Sequence, residues 1–227
     1  EETELIASIN NYGEFIDAKK INIPSKIDDL SFIFNGNVDE IAISPKNKYF
    51  SVIDEKMIVT KSDINSDNFD VLYYVTCNAE DVLIPSNIKI IGENSFIRCK
   101  KIKSVKFQEN SELEIIDKYS FMESSIEEIK LPKHLRIIEK EAFNKCENLK
   151  KLEFQEYSEL EFICSSAFQR TSLTEIIIPK SVKIIDDNAF ISCENLERVE
   201  FSKESKLERI GKFAFNETSI HQIIIPK

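Results

Sequence analysis

From Ala79 onward the chain repeats one pattern of hydrophobic and polar positions, apolar-x-x-apolar-x-apolar. The pattern begins at Ala79, Ile102, Ile126, Leu149, Leu173, Leu196 and Ile220, in steps that alternate between 23 and 24 residues. Its last three positions alternate apolar, polar, apolar, as in Val199-Glu200-Phe201. A period of two is the signature of a strand buried on one face. One such strand per 23 or 24 residues, always of the same hand, predicts a parallel sheet with neighbours about 4.8 Å apart.

After a turn, each strand is followed by a second apolar pair: Ile90-Ile91, Ile115-Ile116, Ile137-Ile138, Phe162-Ile163 and Ile184-Ile185, with Leu207 and Ile210 serving the last copy. A Phe comes next, at 96, 121, 143, 168, 190 and 215, and Tyr74 is expected at the equivalent earlier place. These aromatics should stack and fill the space between strand and return segment. One copy cannot bury enough apolar surface to stand alone, so the copies must stack into a solenoid. The return side should consist of short turns or 3-10 segments.

Two successive coils form a longer unit. Val82–Phe107, Ile129–Phe154 and Ile176–Phe201 align without gaps at an interval of 47 residues. One coil of each pair ends its strand in Phe; the other ends in Ile or Leu followed by Pro. Pro24, Pro85, Pro132, Pro179 and Pro226 all fall at such strand ends, where a missing amide donor costs the ladder least.

Upstream, Ala18-x-x-Ile21-x-Ile23 and Val38-x-x-Ile41-x-Ile43 continue the pattern, but the next match, at Ala79, comes 41 residues after Val38. The excess falls within Ser44–Tyr74. Tyr49–Ile53 and Met57–Thr60 are β-prone runs around Asp54-Glu55 and predict a hairpin protruding from the stack. Val71–Val75 is a third such run, leading back to the stack. The expected organisation is a single solenoid over 1–227. It has irregular coils over 1–37 with a Glu-rich start as an imperfect cap, a hairpin insertion over 44–74 and regular repeats over 79–227. The chain starts with Glu rather than Met and ends with the inner face of Ile220, Ile223 and Ile225 uncapped. A fragment of a longer chain is the expectation.

The formal net charge is −10 and the basic residues are scattered along the sequence. Nucleic-acid and anionic-membrane partners are therefore disfavoured. No run approaches the roughly 18 apolar residues of a membrane span, so direct membrane insertion is not expected. Cys99, Cys146 and Cys193 lie 47 residues apart, with Cys77 in the same register and Ser124, Thr171 and Thr218 in the intervening coils. Cysteines two coils apart should have Cα atoms about 9.6 Å apart, beyond the roughly 7 Å limit of a disulfide. The reading is a ladder of free thiols with hydroxyls between them. Cys77 and Cys99, one coil apart, could approach bonding distance but are expected to stay reduced. Cys164 stands where other coils carry a turn acid.

A linear column does not converge as a tetrahedral metal site requires, and no metal or cofactor is expected. His134 and His221 occupy spacer positions, the first in a turn and the second on a strand, without the partners that catalysis needs. No catalytic residue is expected. Asn216-Glu217-Thr218 matches a glycosylation acceptor, but Thr218 is placed in the ladder.

Two residues of each strand point away from the core. The first outward column runs Asp81, Ser104, Glu128, Lys151, Glu175, Arg198, Gln222; the second runs Leu83, Lys106, Lys130, Glu153, Ile177, Glu200, Ile224. Glu128, Lys151, Glu175 and Arg198 alternate in sign, as neighbouring parallel strands favour. Two readings remain open. In one, the charges satisfy one another and keep the sheet soluble and unpaired. Alternatively, a concave face built from Leu83, Lys106, Glu128, Lys130, Lys151, Glu153, Glu175, Ile177, Arg198, Glu200, Gln222 and Ile224 binds a protein ligand.

The runs A-F-I-S-C-E-N-L-E-R-V-E-F and A-F-Q-R-T-S-L-T-E-I-I-I-P resemble the BspA-type (Treponema pallidum-type) leucine-rich repeat. The segment I-S-P-K-N-K-Y-F-S-V-I-D-E-K-M-I resembles a β-hairpin module of that family, with Asp-Glu where Asp-Gly is usual. The resemblance covers about residues 18–227, most strongly from Ala79. It implies a β-dominant leucine-rich-repeat solenoid without a regular Asn ladder. Members are typically surface-exposed or secreted. The resemblance therefore implies a non-enzymatic adhesin-like module at the cell surface, engaging host extracellular or matrix proteins. The alternatives are a passive spacer or stalk and an intracellular scaffold, the latter expected to keep all five cysteines reduced.

Overall fold

The computed structural model describes residues 20–30 and 38–225. The Glu-rich start and Ala18, residues 31–37, and the terminal Pro226 and Lys227 lie outside the described residues. The readings of an N-terminal cap and of the last proline fall there.

The chain enters through β1 (Lys20–Ile23) and β2 (Glu40–Ile43), a parallel pair in register from Lys20–Glu40 to Ile23–Ile43. Next, β3 (Ser51–Ile53), β4 (Met57–Thr60) and β5 (Val71–Val75) form an antiparallel meander. From there each coil supplies a four-residue strand and a two-residue return strand. They are β6 (Asp81–Ile84) and β7 (Ile90–Ile91), then β8 (Ser104–Phe107) and β9 (Ile115–Ile116). β10 (Glu128–Leu131) and β11 (Ile137–Ile138) follow, with β12 (Lys151–Phe154) and β13 (Phe162–Ile163) after them. The last are β14 (Glu175–Ile178) and β15 (Ile184–Ile185), then β16 (Arg198–Phe201) and β17 (Arg209–Ile210). The result is a leucine-rich-repeat solenoid of stacked coils, and none of the described residues is helical.

The return side carries more order than the sequence pattern alone predicts. The expected short turns are there, around each column Phe as at 93–98 and 118–123, and ahead of them the return residues add a continuous parallel ladder, β7-β9-β11-β13-β15-β17. Branched side chains repeated at the same point of each coil suit a pleated surface, and identical coil geometry brings each pair directly onto the next.

Between the two ladders Phe96, Phe121, Phe143, Phe168, Phe190 and Phe215 stack with centroids 4.6–5.2 Å apart and ring planes within 14° of parallel. The first five are completely buried. Offset stacking at this distance suits the ring quadrupoles.

The backbone around each Phe is unusual. Residues two before and two after it have positive φ, as at Asn94 and Arg98 (61° and 56°) and at Ser166 and Arg170 (both 56°). The amides of Asn94, Phe96 and Arg98 donate to carbonyls of the next coil, while those of Ser95, Ile97 and Cys99 close turns within their own. Every amide from 94 to 99 is thereby paired, including those of the buried Ser95, Phe96 and Cys99, where an unpaired one would be costly. The left-handed conformation costs a non-glycine residue roughly 1–2 kcal/mol, so the coil accepts strain to complete its hydrogen bonding.

The hairpin does not protrude. Its turn closes through Lys56 N–H donating to Ile53 O at 3.1 Å, with positive φ at both Asp54 and Glu55, the conformation of a type I′ turn. That turn is tied into the stack, because Ile41 N–H donates to Glu55 O at 3.0 Å and Thr76 N–H to Lys56 O at 2.8 Å. The meander is a wall with apolar side chains on both faces. Met57, Val59, Leu72 and Val75 join the main core; Ile58 and Tyr74 join a smaller one with Ile21, Ile23, Leu30, Val38, Ile41 and Phe50. β5 passes the wall into the return ladder by pairing in parallel with β7.

Tyr74 is not in the phenylalanine column. Val75 N–H donates to Ser95 O as Phe96 N–H donates to Ser120 O, which puts Val75 at the column's place and turns Tyr74 to the opposite face. Burial there pushes the Tyr74 phenol up to about 12, against a smaller downward effect of its hydrogen bond with the Val38 backbone.

The cysteine reading is corrected at one rung. Cys77 and Cys99 form a disulfide, their Cα atoms 4.8 Å apart. Adjacent coils place successive rungs within the 4.4–6.8 Å range that a disulfide spans, and here both rungs are cysteines. The remaining rungs follow the expected ladder. Cys146 Sγ lies 3.4 Å from Ser124 Oγ and donates to Phe121 O at 2.9 Å; Cys193 Sγ lies 3.2 Å from Thr171 Oγ1 and donates to Phe168 O at 3.0 Å. Thr218 Oγ1 donates to Phe215 O at 2.8 Å. Burial pushes the Cys146 thiol up to about 12, that of Cys164 to about 11, and raises that of Cys193. These thiols are poor nucleophiles at neutral pH.

Two outcomes are expected. Unreduced protein in denaturant should titrate three thiols, and folded protein at pH 8 should react with a maleimide chiefly at half-buried Cys164; five titratable thiols would refute the bridge. Arg170→Gly should raise stability in urea by about 0.5–1 kcal/mol, since glycine adopts positive φ without steric cost. A loss of stability would mean that the left-handed turn is not strained.

Candidate binding face

From β6 to β16 each four-residue strand buries its second residue and exposes its third, because successive side chains of a pleated strand point to opposite sides. Leu83, Lys106, Glu128, Lys130, Lys151, Glu153, Glu175, Ile177, Arg198 and Glu200 all emerge on one face. Leu83 and Ile177 are 52% and 59% exposed, a large apolar exposure among charges. Ser104, expected to point outward with them, is buried, and its hydroxyl donates to Asp81 Oδ1 at 2.6 Å. Gln222 and Ile224 are exposed but lie past the last strand, and His221, expected on a strand, sits in a bend.

The ion pairs are more local than a column of alternating signs. Arg198 does reach Glu175 across the strands at 3.8 Å, but it also bonds Glu200 on its own strand. Lys151 turns to Glu153 at 2.8 Å rather than to its cross-strand neighbour Glu128. Their hydrogen bond raises the Lys151 ammonium and lowers the Glu153 carboxyl. Side chains two apart on one strand share a face and can meet without bridging coils. Both groups are exposed, so the pair adds little to stability.

Proline divides this face. Gln108, Gln155 and Ser202 each donate a backbone N–H to the last residue of the preceding strand, Ile84, Leu131 and Ile178, at 3.0–3.1 Å. In the alternate steps that rung is held by Pro132 or Pro179, which has no N–H to give. Pairing of β8 with β10 is accordingly cut to Ser104–Glu128 and Val105–Ile129. Between β12 and β14 it is lost altogether, and the face splits into a four-stranded sheet and the β14–β16 pair. The Ile220–Ile225 segment follows a Phe-ended strand in the same way and is likewise unpaired.

A surface groove lies at each of these two steps. One of about 430 Å³ runs over β8 and β10, lined by Phe107, Lys106 and Lys130 among others. The second, about 800 Å³, spans the break between β12 and β14. Phe154, Tyr157, Ile176, Ile177 and Pro179 line its apolar part, and Lys130, Lys150, Lys151 and Lys180 its basic part. Phe154 is half-buried, and Tyr157 is 69% exposed. Sequence reading missed this gathering of lysines because they are spread over three coils. The signal was present in the alternation of Phe-ended and Pro-ended strands, which marks where the ladder opens.

Elsewhere, His134 Nδ1 lies 3.2 Å from Glu159 Oε1 in an exposed turn. Among the described residues no group of three or more His, Cys, Asp or Glu side chains could hold a metal ion. No helix among them is long and apolar enough to cross a membrane.

Comparison with known proteins matches this architecture. The model of the BspA type leucine-rich repeat region matches in six copies over residues 68–160 and 114–227. The pneumococcal vaccine antigen PcpA superposes with a TM-score of 0.54 at 25% identity, covering 85% of this chain and 46% of that one. A leucine-rich repeat protein from Eubacterium ventriosum superposes with a TM-score of 0.63 at 19% identity, covering 91% of this chain and 60% of that one. One from Bacteroides ovatus gives 0.50 at 21% identity, covering 94% and 54%. The last two show likeness of fold alone. The chain spans between 46% and 60% of the length of these three structures. Among curated proteins none matches the chain in sequence. With its repeat matched in six copies across residues 68–227, the chain belongs to the BspA-type leucine-rich repeat family.

Proposed function

We propose that this protein is a non-enzymatic binding module, exposed at a cell surface or secreted, that engages host extracellular or cell-surface proteins through its strand face. The observation that carries the reading is Ile177, 59% exposed among charged side chains on the strand face and lining one groove with the half-buried Phe154. An apolar side chain held in water on a rigid strand gains most when a partner covers it. Repeat proteins characteristically bind along such extended faces. Leucine-rich repeats serve as protein-interaction modules, which is the general role this family supports.

Placement outside the cytoplasm draws support from the Cys77–Cys99 disulfide, since such bonds persist in oxidising compartments. It also counts against the intracellular scaffold, which expects every cysteine reduced. The similar PcpA is a vaccine antigen, in keeping with a surface role.

Binding of the purified protein to cultured host cells and to immobilised matrix proteins tests the proposal. Ile177→Asp combined with Leu83→Asp should weaken that binding at least tenfold while leaving the melting temperature within a few degrees, because both side chains are exposed. Equal binding by the double variant would exclude the strand face.

A further inference from the structure

We infer that the groove between β12 and β14 takes an extended acidic peptide segment of the partner protein, anchored by one large apolar side chain. The inference rests on the proposed role of the strand face and names the chemistry of what that face would hold.

The charge balance of the groove runs against that of the chain. The whole protein carries a formal charge of −10, yet Lys130, Lys150, Lys151 and Lys180 line this one site. Of its three glutamates, Glu153 pairs with Lys151 at 2.8 Å and Glu175 with Arg198 at 3.8 Å, and the four lysines outnumber all three. Lys130, Lys150 and Lys180 have no carboxylate within ion-pair distance among the described residues. Three ammonium groups without a close ion pair thus line the groove together with Phe154 and Ile177, Lys130 acting on Glu153 only at longer range. A basic ligand would meet those cations, and a neutral apolar one would leave them facing it unanswered. An acidic segment answers the charge and its apolar side chain covers the floor.

The backbone break makes room for that side chain. Pro179 removes the rung above Phe154, leaving that ring half-exposed where the inward Ile of the Pro-ended strands, such as Ile178, is fully buried. The opening next to Ile177 is therefore a consequence of the two-coil repeat. An anionic polysaccharide would satisfy the lysines but gain little from Phe154, Ile177 and Tyr157, and on that ground a peptide is favoured.

The test uses the 227-residue chain and four probes: a twelve-residue fluorescent peptide of Glu and Ser with one central Phe, the same peptide with Ser replacing Phe, a Lys-for-Glu version that keeps the Phe, and heparin. The acidic Phe peptide should bind by fluorescence anisotropy. It should shift amide resonances of Lys150–Tyr157 and Thr174–Lys180, and weaken as salt rises. Loss of the Phe should cost at least tenfold in affinity, and so should Lys150→Glu with Lys180→Glu, two exposed positions whose change leaves the fold intact. Binding of the basic peptide to these residues would overturn the acidic class while sparing the face. Equal binding of the Phe-less peptide or of heparin would reduce the site to an anion patch and overturn the peptide reading. So would failure of all four probes. Resonance shifts confined to the return side would contradict both this inference and the role of the face.

Discussion

Everything in this molecule depends on one distance, the rise from each coil to the next. No coil has a core of its own; it has half of one, and its neighbours supply the rest. The rise must therefore suit several contacts at once. Stacked phenylalanine rings want their centroids no closer than about 4.5 Å, and parallel strands want a separation near 4.8 Å. The observed ring spacings of 4.6–5.2 Å meet both demands. The amides of Phe96, Phe121, Phe143, Phe168 and Phe190 each reach a carbonyl of the next coil at 2.7–2.8 Å. Reaching it requires alternate backbone twists, and positive φ on either side of every Phe is the cost.

The same rise decides the fate of each position that recurs. Where two cysteines fall on adjacent rungs they bond, and where a hydroxyl intervenes they remain thiols, each donating to a buried carbonyl. The meander of β3, β4 and β5 enters the stack because its buried side chains face two cores, closing the small N-terminal one and starting the large one. The disulfide follows directly after β5 and fastens the end of that wall to the first regular coil. Proline interrupts the outer ladder at every second step without disturbing the return ladder. The strand face consequently opens while the spine behind it stays continuous.

Much of this was legible in the amino acids. A strict 23/24-residue alternation of apolar positions specifies strand, inward side chains and stacking together, because no other arrangement buries all of them. The hairpin turn was legible from Asp54-Glu55, though not the burial of β4 behind it. The pattern of Met57, Ile58 and Val59 is continuous rather than alternating, and only the fold reveals that both faces of β4 are covered. The register brought Cys77 within reach of Cys99, but the alternating thiol and hydroxyl ladder of the later coils was extended to the one step where both rungs are cysteines. Tyr74 was misplaced by one residue, the smallest error that moves a strand residue to the opposite face. Of the residues read as outward on β6 to β16, all but Ser104 are exposed. Their grouping into a cationic, apolar groove follows from where prolines break the ladder, which no single coil discloses.

The account's central claim is that the coils exist only as an array, joined through the phenylalanine column. Native-state hydrogen exchange tests it most directly. The amides of Phe96, Phe121, Phe143, Phe168 and Phe190, each bonded to the next coil, should be among the slowest in the protein and respond together to low concentrations of denaturant. If each instead exchanges with its own free energy, unaffected by the opening of neighbouring coils, then single coils hold themselves together and the claim is wrong.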